Sequence, residues 1–267
     1  HRGCGGGCAF CSLALHQGRS ISARSKESIV KAAGRMAKSL SSRRGRGRGV
    51  AISDVGGPTG NMWASYCQAE VSRCERTSCL YPTLCPHFYT GQAESIELLR
   101  TVAAQPGIAQ VRMASGIRYD LGLTEPEALR AYVREFTGGQ LKVAPEHISE
   151  TVLQLMRKPG AESLEAFLRI FAEAPDGREQ YVIPYLMSAY PGCTDADMRR
   201  LADWLKARGW RPQQVQCFIP TPGTVATAMF YCGRDPAGRS IYVARTDAER
   251  LRQHALLTGR GGPHENP

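Results

Sequence analysis

The chain has 267 residues, of which 42% are hydrophobic and 22% charged, and its formal net charge is +10. These values are ordinary for a soluble globular protein, and the length allows one barrel-sized domain or two smaller ones. There is no run of eighteen apolar residues and no signal peptide, so we expect neither a membrane span nor export. The basic balance permits an anionic partner.

Helical periodicity and buried-strand runs alternate along the chain. The pattern predicts helices at 28–40, 94–104, 125–136, 150–156, 162–173, 196–208 and 247–257. It predicts strands at 50–54, 110–114, 140–144, 180–189 and 215–219, with a weaker sixth at 241–245. The Gly/Pro-rich tail, 259–267, is expected to be mobile.

This alternation predicts an α/β fold with a parallel sheet and helices on its outside. Together with a strand leading into the first residues, it fits a partial (β/α)6 TIM-like barrel. We expect that strand to be truncated or missing here, since the chain begins at His1 and reads as a piece of a longer protein. The expected domains are a core barrel at 1–222, with an insertion at 63–92, and a C-terminal extension at 223–267. Active sites of parallel barrels form where the strands end.

Cys4, Cys8 and Cys11 lie within eight residues of one another, in the spacing Cys-x3-Cys-x2-Cys, with Phe10 before the last. Three thiolates on a glycine-rich loop can ligate three irons of a [4Fe–4S] cluster and leave the fourth iron open. An open iron beside an aromatic ring suits S-adenosylmethionine, which binds through its amino and carboxylate groups. Two alternatives are a zinc knuckle completed by His1 or His16, and a disulfide with a spare thiol.

A second cysteine group follows the first predicted strand: Cys67, Cys74, Cys79 and Cys85, with His87 close by. A long loop inside a compact domain needs a stabilising cross-link of its own, which a bound metal can provide. A second iron–sulfur cluster, a structural zinc site and unligated thiols all remain open. The cysteines cluster as metal ligands do, and this pattern favours a protein of the reducing cytosol. The three outlying cysteines, Cys193, Cys217 and Cys232, are expected to be buried or half-buried thiols.

The tract Arg43–Arg48 holds four arginines alternating with glycines. It could contact RNA phosphates, although such runs are more often solvated connectors. RNA is therefore a weak expectation, and the sequence does not identify the substrate.

Five sequence blocks stand in order along the chain. They are His1-Arg-Gly-Cys4 with Cys8-Ala-Phe-Cys-Ser12, His16-Gln-Gly-Arg19 and Ser25; Ile52-Ser-Asp-Val-Gly-Gly-Pro-Thr-Gly-Asn-Met62; Lys142-Val-Ala-Pro-Glu-His147; Tyr190-Pro-Gly-Cys193; and Phe218-Ile-Pro-Thr-Pro222 with Thr227-Ala-Met229. Together they resemble the YgiQ family of radical S-adenosylmethionine proteins. The resemblance implies a barrel carried in a longer polypeptide, reductive cleavage of S-adenosylmethionine, and an electron donor such as flavodoxin or ferredoxin.

The turn Gly56-Gly57-Pro58 resembles the segment that receives the methionine amino group in such enzymes, and Phe10 would flank the adenine. Four polar residues are expected at or just beyond strand ends: Ser115, Arg118, Lys142 and Glu146. Arg118 could pair with the methionine carboxylate, and Glu146 or Ser115 could hold the ribose hydroxyls. The alternative functions are an RNA-modifying enzyme of the methylthiotransferase type and a zinc-stabilised binding module without catalysis.

Overall fold

The computed structural model describes residues 1–44, 49–69, 74–174 and 177–259. Its helices are α1 (Leu13–Gln17), α2 (Lys26–Arg44), α3 (Gln92–Ala103), α4 (Tyr119–Gly122), α5 (Pro126–Ala131), α6 (Glu150–Met156), α7 (Ala161–Glu173), α8 (Asp195–Ala207), α9 (Val225–Cys232) and α10 (Asp247–Thr258), and a π-helical turn at Tyr132–Phe136 continues α5. Its strands are β1 (Val50–Ile52), β2 (Tyr66–Cys67), β3 (Phe88–Tyr89), β4 (Ile108–Val111), β5 (Gln140–Glu146), β6 (Tyr181–Ser188) and β7 (Gln214–Cys217).

The strands form two parallel sheets and one short hairpin. β1 pairs with β4, β6 lies between β5 and β7, and the antiparallel pair β2–β3 forms the hairpin. The two parallel sheets adjoin through one parallel bridge between Ile117 and Val143. The molecule is therefore a mixed α/β fold with parallel sheets, and in the described part of the chain these do not close into a barrel.

The interruption between the two sheets has a local cause. After β4 the chain bonds to the loop that follows β1 instead of continuing along β5. The carbonyl of Gly116 accepts the N–H of Gly60 at 2.8 Å and the hydroxyl of Thr59 at 3.4 Å. The same detour carries the residues between β4 and α4 toward the loop of Cys4–Cys11.

All five main strands predicted from the sequence are present, with ends shifted by a few residues. The weaker strand predicted at 241–245 is wrong: near it lies only an isolated bridge between Arg234 and Ser240. The described residues before the cysteine loop form no strand, and Arg2 makes one isolated antiparallel bridge with Ser22. Lys142 was expected near a strand end, but it is the third residue of β5, and its carbonyl accepts the N–H of Ile117.

Apolar side chains from both faces of the parallel sheets build the core. Leu164 and Phe167 of α7 are buried with Leu141 and Val143 of β5. A second cluster surrounds Tyr190, directly after β6, and includes residues of α8, α9 and α10. Since Tyr190 is also close to the cysteine loop, this core fixes one side of the candidate site.

Helix ends follow their sequence signals. The hydroxyl of Thr194 accepts the backbone N–H of Asp197 at the start of α8. The carboxylate of Asp197 accepts the backbone N–H of Thr194, which completes a capping box. The same arrangement at Thr246 and Glu249 opens α10. Such caps satisfy backbone N–H groups that a helix leaves unpaired at its start.

Three sequence expectations concern the outer parts of the molecule. Cys193 is buried and Cys217 half-buried, as predicted, but Cys232 is exposed, because it ends α9 on the surface. The tract Arg43–Arg48 and the last eight residues lie outside the residues whose side chains the structure describes. None of the described helices is both long and apolar enough to cross a membrane.

Candidate functional site

The loop that carries Cys4, Cys8 and Cys11 is fixed by backbone hydrogen bonds to distant parts of the chain. The N–H of Ala9 donates to the carbonyl of Met156 at the end of α6, at 2.9 Å. The carbonyl of Ala9 accepts the N–H of Ala226 in α9, also at 2.9 Å. All three cysteines are free thiols and are half-buried, so the disulfide alternative finds no support in the described residues.

Two glycines in this loop are required by close contact as well as by the turn. A Cβ placed on Gly6 would lie 2.6 Å from Nη1 of Arg118. Gly7 has φ +59°, and a Cβ placed on it would lie 2.2 Å from the carbonyl oxygen of Thr77. Glycine is the residue that tolerates both the left-handed conformation and this approach.

Arg118 is a buried cation in contact with the cysteine loop. Its Nη1 donates to Sγ of Cys8 at 3.4 Å, while Nε and Nη2 donate to the carboxylate of Asp120 at 3.0 and 2.5 Å. Burial raises the pKa of Asp120, but Arg118 more than offsets this, so that pKa lies below its usual value. Two of the three guanidinium nitrogens are thus committed to Asp120 and the third to the thiol.

Glu146 and Lys158 form a second buried charged pair nearby. Glu146 ends β5 with φ +67°, and the Nζ of Lys158 lies 4.0 Å from its Oε1. Burial raises the pKa of Glu146, opposed by Lys158 and then Arg118. The charge of Lys158 also acts on Cys4 and Cys11. Sequence analysis missed Lys158, because a lysine just after a helix is ordinarily solvent-exposed.

The turn after β1 carries an unpartnered carboxylate oxygen. The hydroxyl of Ser115 donates to Oδ2 of Asp54, but Oδ1 of Asp54 is buried without a hydrogen-bond partner. A Cβ placed on Gly56 would lie 3.7 Å from that Oδ1, and Gly56 itself is exposed. Asp54 is a further residue that sequence analysis did not single out, although it ends a predicted strand.

The side chain of Asn61 joins this turn to Arg118. Its Oδ1 accepts the backbone N–H of Arg118 and its Nδ2 donates to the carbonyl of Arg118, both at 2.9 Å. One residue later, Sδ of Met62 accepts the N–H of Gly5 at 3.4 Å. The loop after β1 therefore contacts both Arg118 and the cysteine loop, and it brings residues from separate strands together.

Gly57 lies against the first residue of the chain. A Cβ placed on Gly57 would lie 2.5 Å from Nδ1 of His1, and both ring nitrogens of His1 are buried without a hydrogen-bond partner. His16, the other histidine considered as a zinc ligand, is exposed on α1.

Phe10 lies between two cysteines and packs against the second core cluster. Its ring meets that of Tyr190 edge to face, with centroids 6.1 Å apart, and Tyr190 in turn contacts Phe218 at 5.4 Å. The hydroxyl of Tyr190 donates to the carbonyl of Leu155 at 2.9 Å. Phe10 is half-buried, so part of its surface is accessible beside the thiols.

The second cysteine group lies directly against the first loop. The N–H of Cys79 donates to the carbonyl of Gly5 at 2.8 Å, and the hydroxyl of Ser78 donates to the carbonyl of Gly6 at 2.6 Å. The N–H of Cys85 donates to the carbonyl of Cys79 at 2.7 Å. Sequence analysis did not predict this contact between the two groups.

Two adjoining cavities separate the cysteine groups. Cys67, Cys74 and Cys79 line the smaller, about 180 Å³, together with Arg19. Cys8 and Cys11 line the other, about 430 Å³, which Cys74 and Arg19 also reach. Burial, followed by the neighbouring Cys85, raises the pKa of Cys79 to about 11. His87 is exposed at the rim of this region.

The zinc and cluster alternatives require different arrangements of donor atoms. Among the residues described, no three His, Cys, Asp or Glu side chains are grouped so that they could hold one metal ion. The thiols of a cubane bind different irons and stand further apart. With three free thiols, a buried cation at Cys8 and an orphaned oxygen on Asp54, the residues present fit a [4Fe–4S] cluster and S-adenosylmethionine.

Comparisons with known proteins match almost the whole chain. Over 96% of its length it is 47% identical to the UPF0313 protein GSU2873 of Geobacter sulfurreducens and 43% identical to a UPF0313 protein of Pseudomonas syringae. The UPF0313 protein YgiQ of Salmonella typhimurium is 40% identical over the same share of the chain. The matches cover 42%, 34% and 36% of those three proteins, respectively.

The C-terminal part of the chain also matches a family described as "Domain of unknown function (DUF3362)", over residues 213–262. The matched segment contains β7, α9 and α10, and its Ala226 bonds directly to the cysteine loop. Along nearly its whole length, then, this chain is a homologue of the UPF0313 proteins, the group that includes YgiQ, and it spans between about a third and two fifths of their length.

Proposed function

We propose that this chain is the core of a radical S-adenosylmethionine enzyme. When bound, a [4Fe–4S] cluster supplies one electron that cleaves S-adenosylmethionine to methionine and a 5′-deoxyadenosyl radical, which removes a hydrogen atom from the substrate. The two parallel sheets are then parts of a partial (β/α)6 barrel. The core comprises residues 1–222, and 223–267 form an extension.

The thiols of Cys4, Cys8 and Cys11 hold the cluster in this proposal. Arg118 neutralises part of the negative charge that three thiolates bring into a buried place, and Asp120 and Asn61 keep it there. Because Asp120 occupies two of its nitrogens, we assign Arg118 to the thiolates rather than to the methionine carboxylate first expected.

The remaining residues orient S-adenosylmethionine. The free Oδ1 of Asp54 and the turn of exposed Gly56 and half-buried Gly57 receive the methionine ammonium, and Phe10 flanks the adenine. Ser115 holds Asp54 in place. Glu146, buried at the end of β5, is assigned to the ribose hydroxyls, with Lys158 keeping its carboxyl in position.

The buried cation at Cys8 is the observation that carries the proposal. Arg118 is paired with Asp120, and Lys158 lies 4.0 Å from Glu146, but Nη1 of Arg118 still donates to the thiol of Cys8, and a neutral thiol is a weak acceptor for a buried cation. Lys158 also acts on Cys4 and Cys11, and burial raises the pKa of its partner Glu146, which favours the neutral carboxyl. Thiolates at Cys4, Cys8 and Cys11 provide the negative charge that this arrangement accommodates.

The experiment is reductive cleavage measured in the absence of oxygen. The protein is reconstituted with iron and sulfide, reduced, and supplied with S-adenosylmethionine, and 5′-deoxyadenosine is quantified. We expect it to form in the wild type and in a Cys217→Ala control, whose thiol lies outside both groups, but not in Cys8→Ala. Equal yields from Cys8→Ala and wild type would contradict the proposal, as would zinc bound in place of iron.

The physiological reductant in this proposal is a one-electron donor such as flavodoxin or ferredoxin. Either donor replacing a chemical reductant in the same assay would support that assignment. If neither protein supports cleavage while the chemical reductant does, another donor class is required.

A further inference from the structure

We propose that the second cysteine group, comprising Cys67, Cys74, Cys79 and Cys85, holds a second iron–sulfur cluster. The inference concerns a separate metal site and does not depend on S-adenosylmethionine cleavage at the first.

The group meets around one small cavity. Cys67 comes from β2, Cys79 from the segment bonded to Gly5, and Cys74 lies between them in sequence; all three line the cavity of about 180 Å³. Cys85 is buried and adjoins Cys79 through a backbone hydrogen bond of 2.7 Å. Three free thiols thus line the cavity, and the fourth, Cys85, lies in the apolar cluster against which Cys79 packs.

We assign a cluster, and not a single zinc ion, to this cavity. Tetrahedral zinc lies about 2.3 Å from each sulfur, which brings its ligand sulfurs to about 3.8 Å from one another. No three donors of the described chain are arranged in that way. An iron–sulfur cluster spreads its metal over several atoms, so its cysteines surround a volume instead of a point.

Arg19 supplies a second, independent sign of a negatively charged occupant. Its side chain lines the cavity, and its Nη1 is buried without a hydrogen-bond partner. A buried guanidinium nitrogen without an acceptor is unusual, since leaving it unpaired costs free energy. A cluster held by four thiolates carries net negative charge, and its sulfur atoms can accept this hydrogen bond.

The ligand count distinguishes this centre from the first one. Four cysteines leave no iron open, so the site is suited to one-electron transfer and not to binding S-adenosylmethionine. Cys74 and Arg19 line both cavities, and Cys79 is bonded to Gly5 beside Cys4. The two centres would therefore be neighbours.

The test uses the whole protein with the first group removed. The variant Cys4→Ala/Cys8→Ala/Cys11→Ala is reconstituted anaerobically with iron and sulfide, and iron, sulfide and zinc are counted after desalting. We expect it to retain about two to four irons with matching sulfide and a visible charge-transfer absorption. Adding Cys67→Ala and Cys79→Ala should remove them, whereas adding the control pair Cys217→Ala and Cys232→Ala should not.

Iron content of the wild type gives a second measurement that needs no variant to fold. About six to eight irons per chain support two centres, and about four refute the second. Zinc alone in the triple variant, or no metal while its circular dichroism is native, also overturns the inference. Since activity is not the readout, a wild type that cleaves S-adenosylmethionine with about four irons would reject this site and leave the proposed function standing.

Discussion

The guanidinium of Arg118 joins Cys8 to Asp120: Nη1 lies 3.4 Å from the thiol sulfur, and Nη2 lies 2.5 Å from the carboxylate. The side chains of Arg118 and Asp120 are only 10% and 14% exposed, so both charges of this pair are held largely out of water. Removing either Arg118 or Asp120 alone would leave the other charge buried without a partner, which would lower the free energy of unfolding by about 3–5 kcal/mol. Any test of Arg118 must therefore change both partners.

We predict that Arg118→Gln/Asp120→Asn folds but holds its cluster weakly. A hydrogen bond to a charged group contributes about 1.5–3 kcal/mol, so retention of iron during chelator challenge should fall by about tenfold or more. The control is Arg100→Gln, which removes an exposed pair with Glu135 and should leave iron retention unchanged. Equal retention in the double variant and wild type would argue against a role for Arg118 at the thiolates.

We predict that Asp54→Asn weakens S-adenosylmethionine binding without reducing cluster content. The substitution keeps the acceptor for Ser115 but removes the negative charge proposed to receive the ligand's ammonium. Loss of one charge-assisted hydrogen bond of about 1.5–3 kcal/mol should raise the Kd by about tenfold or more. Isothermal titration with iron-loaded protein measures this, and an unchanged Kd with full iron content would remove Asp54 from the site.

We predict that Gly7→Ala is considerably more destabilising than Gly209→Ala. Both glycines are left-handed, with φ +59° and +64°, so both substitutions incur the conformational cost of about 1–2 kcal/mol. The methyl group added at Gly7 would lie 2.2 Å from the carbonyl oxygen of Thr77, whereas no atom lies within 4 Å of the one added at Gly209. Urea denaturation of the two variants compares them, and similar losses would mean that the contact with Thr77 relaxes easily.

We predict that stability declines in acid through His147. Burial lowers its pKa to about 4 from the ordinary value of 6.5, with the charge of Asp197 opposing the shift. Its Nδ1 accepts the N–H of Ser149, and its Nε2 lies 3.6 Å from Sγ of Cys193. Between pH 6.5 and 4 this histidine therefore binds a proton more readily in the unfolded chain than in the folded one. The free energy of unfolding should fall by about 3 kcal/mol as the pH is lowered through that range.

The variant His147→Asn isolates this effect, since its amide oxygen can still accept the bond from Ser149. Denaturation midpoints for wild type and variant are compared from pH 7 to pH 4. The difference in their free energies of unfolding should shrink as the pH falls. A constant difference would show that His147 does not titrate in this range.

The first cysteine group could be recognised as a candidate site from the sequence because its members are local. Cys4, Cys8 and Cys11 need only a short glycine-rich loop to converge, and that pattern is visible in eight residues. The five main strands were visible for a similar reason, since each is a compact apolar run between helical segments. Their ends shifted because edge hydrogen bonds, such as those to Gly116, are decided by partners far along the chain.

The partners of the site were harder to foresee. Nothing in the sequence pairs Arg118 with Asp120 instead of with a ligand, or turns Lys158 inward toward Glu146. Both outcomes depend on the packing of loops from separate βα units. Cys232 shows the opposite error: its thiol is predicted to be buried or half-buried, but it is exposed at the end of α9, a helix that the sequence pattern did not predict.

The hydrogen bond between Ala226 and Ala9 has a consequence for biosynthesis. A nascent chain that has not yet been synthesised to residue 226 lacks the hydrogen bond from Ala226 to the carbonyl of Ala9. The bond from the N–H of Ala9 to the carbonyl of Met156 cannot form until residue 156 has been added. The loop of Cys4, Cys8 and Cys11 therefore lacks its complete backbone anchoring until the chain has been synthesised through residue 226. Under the proposed function, a cluster would be inserted into a chain whose translation through this region is already complete.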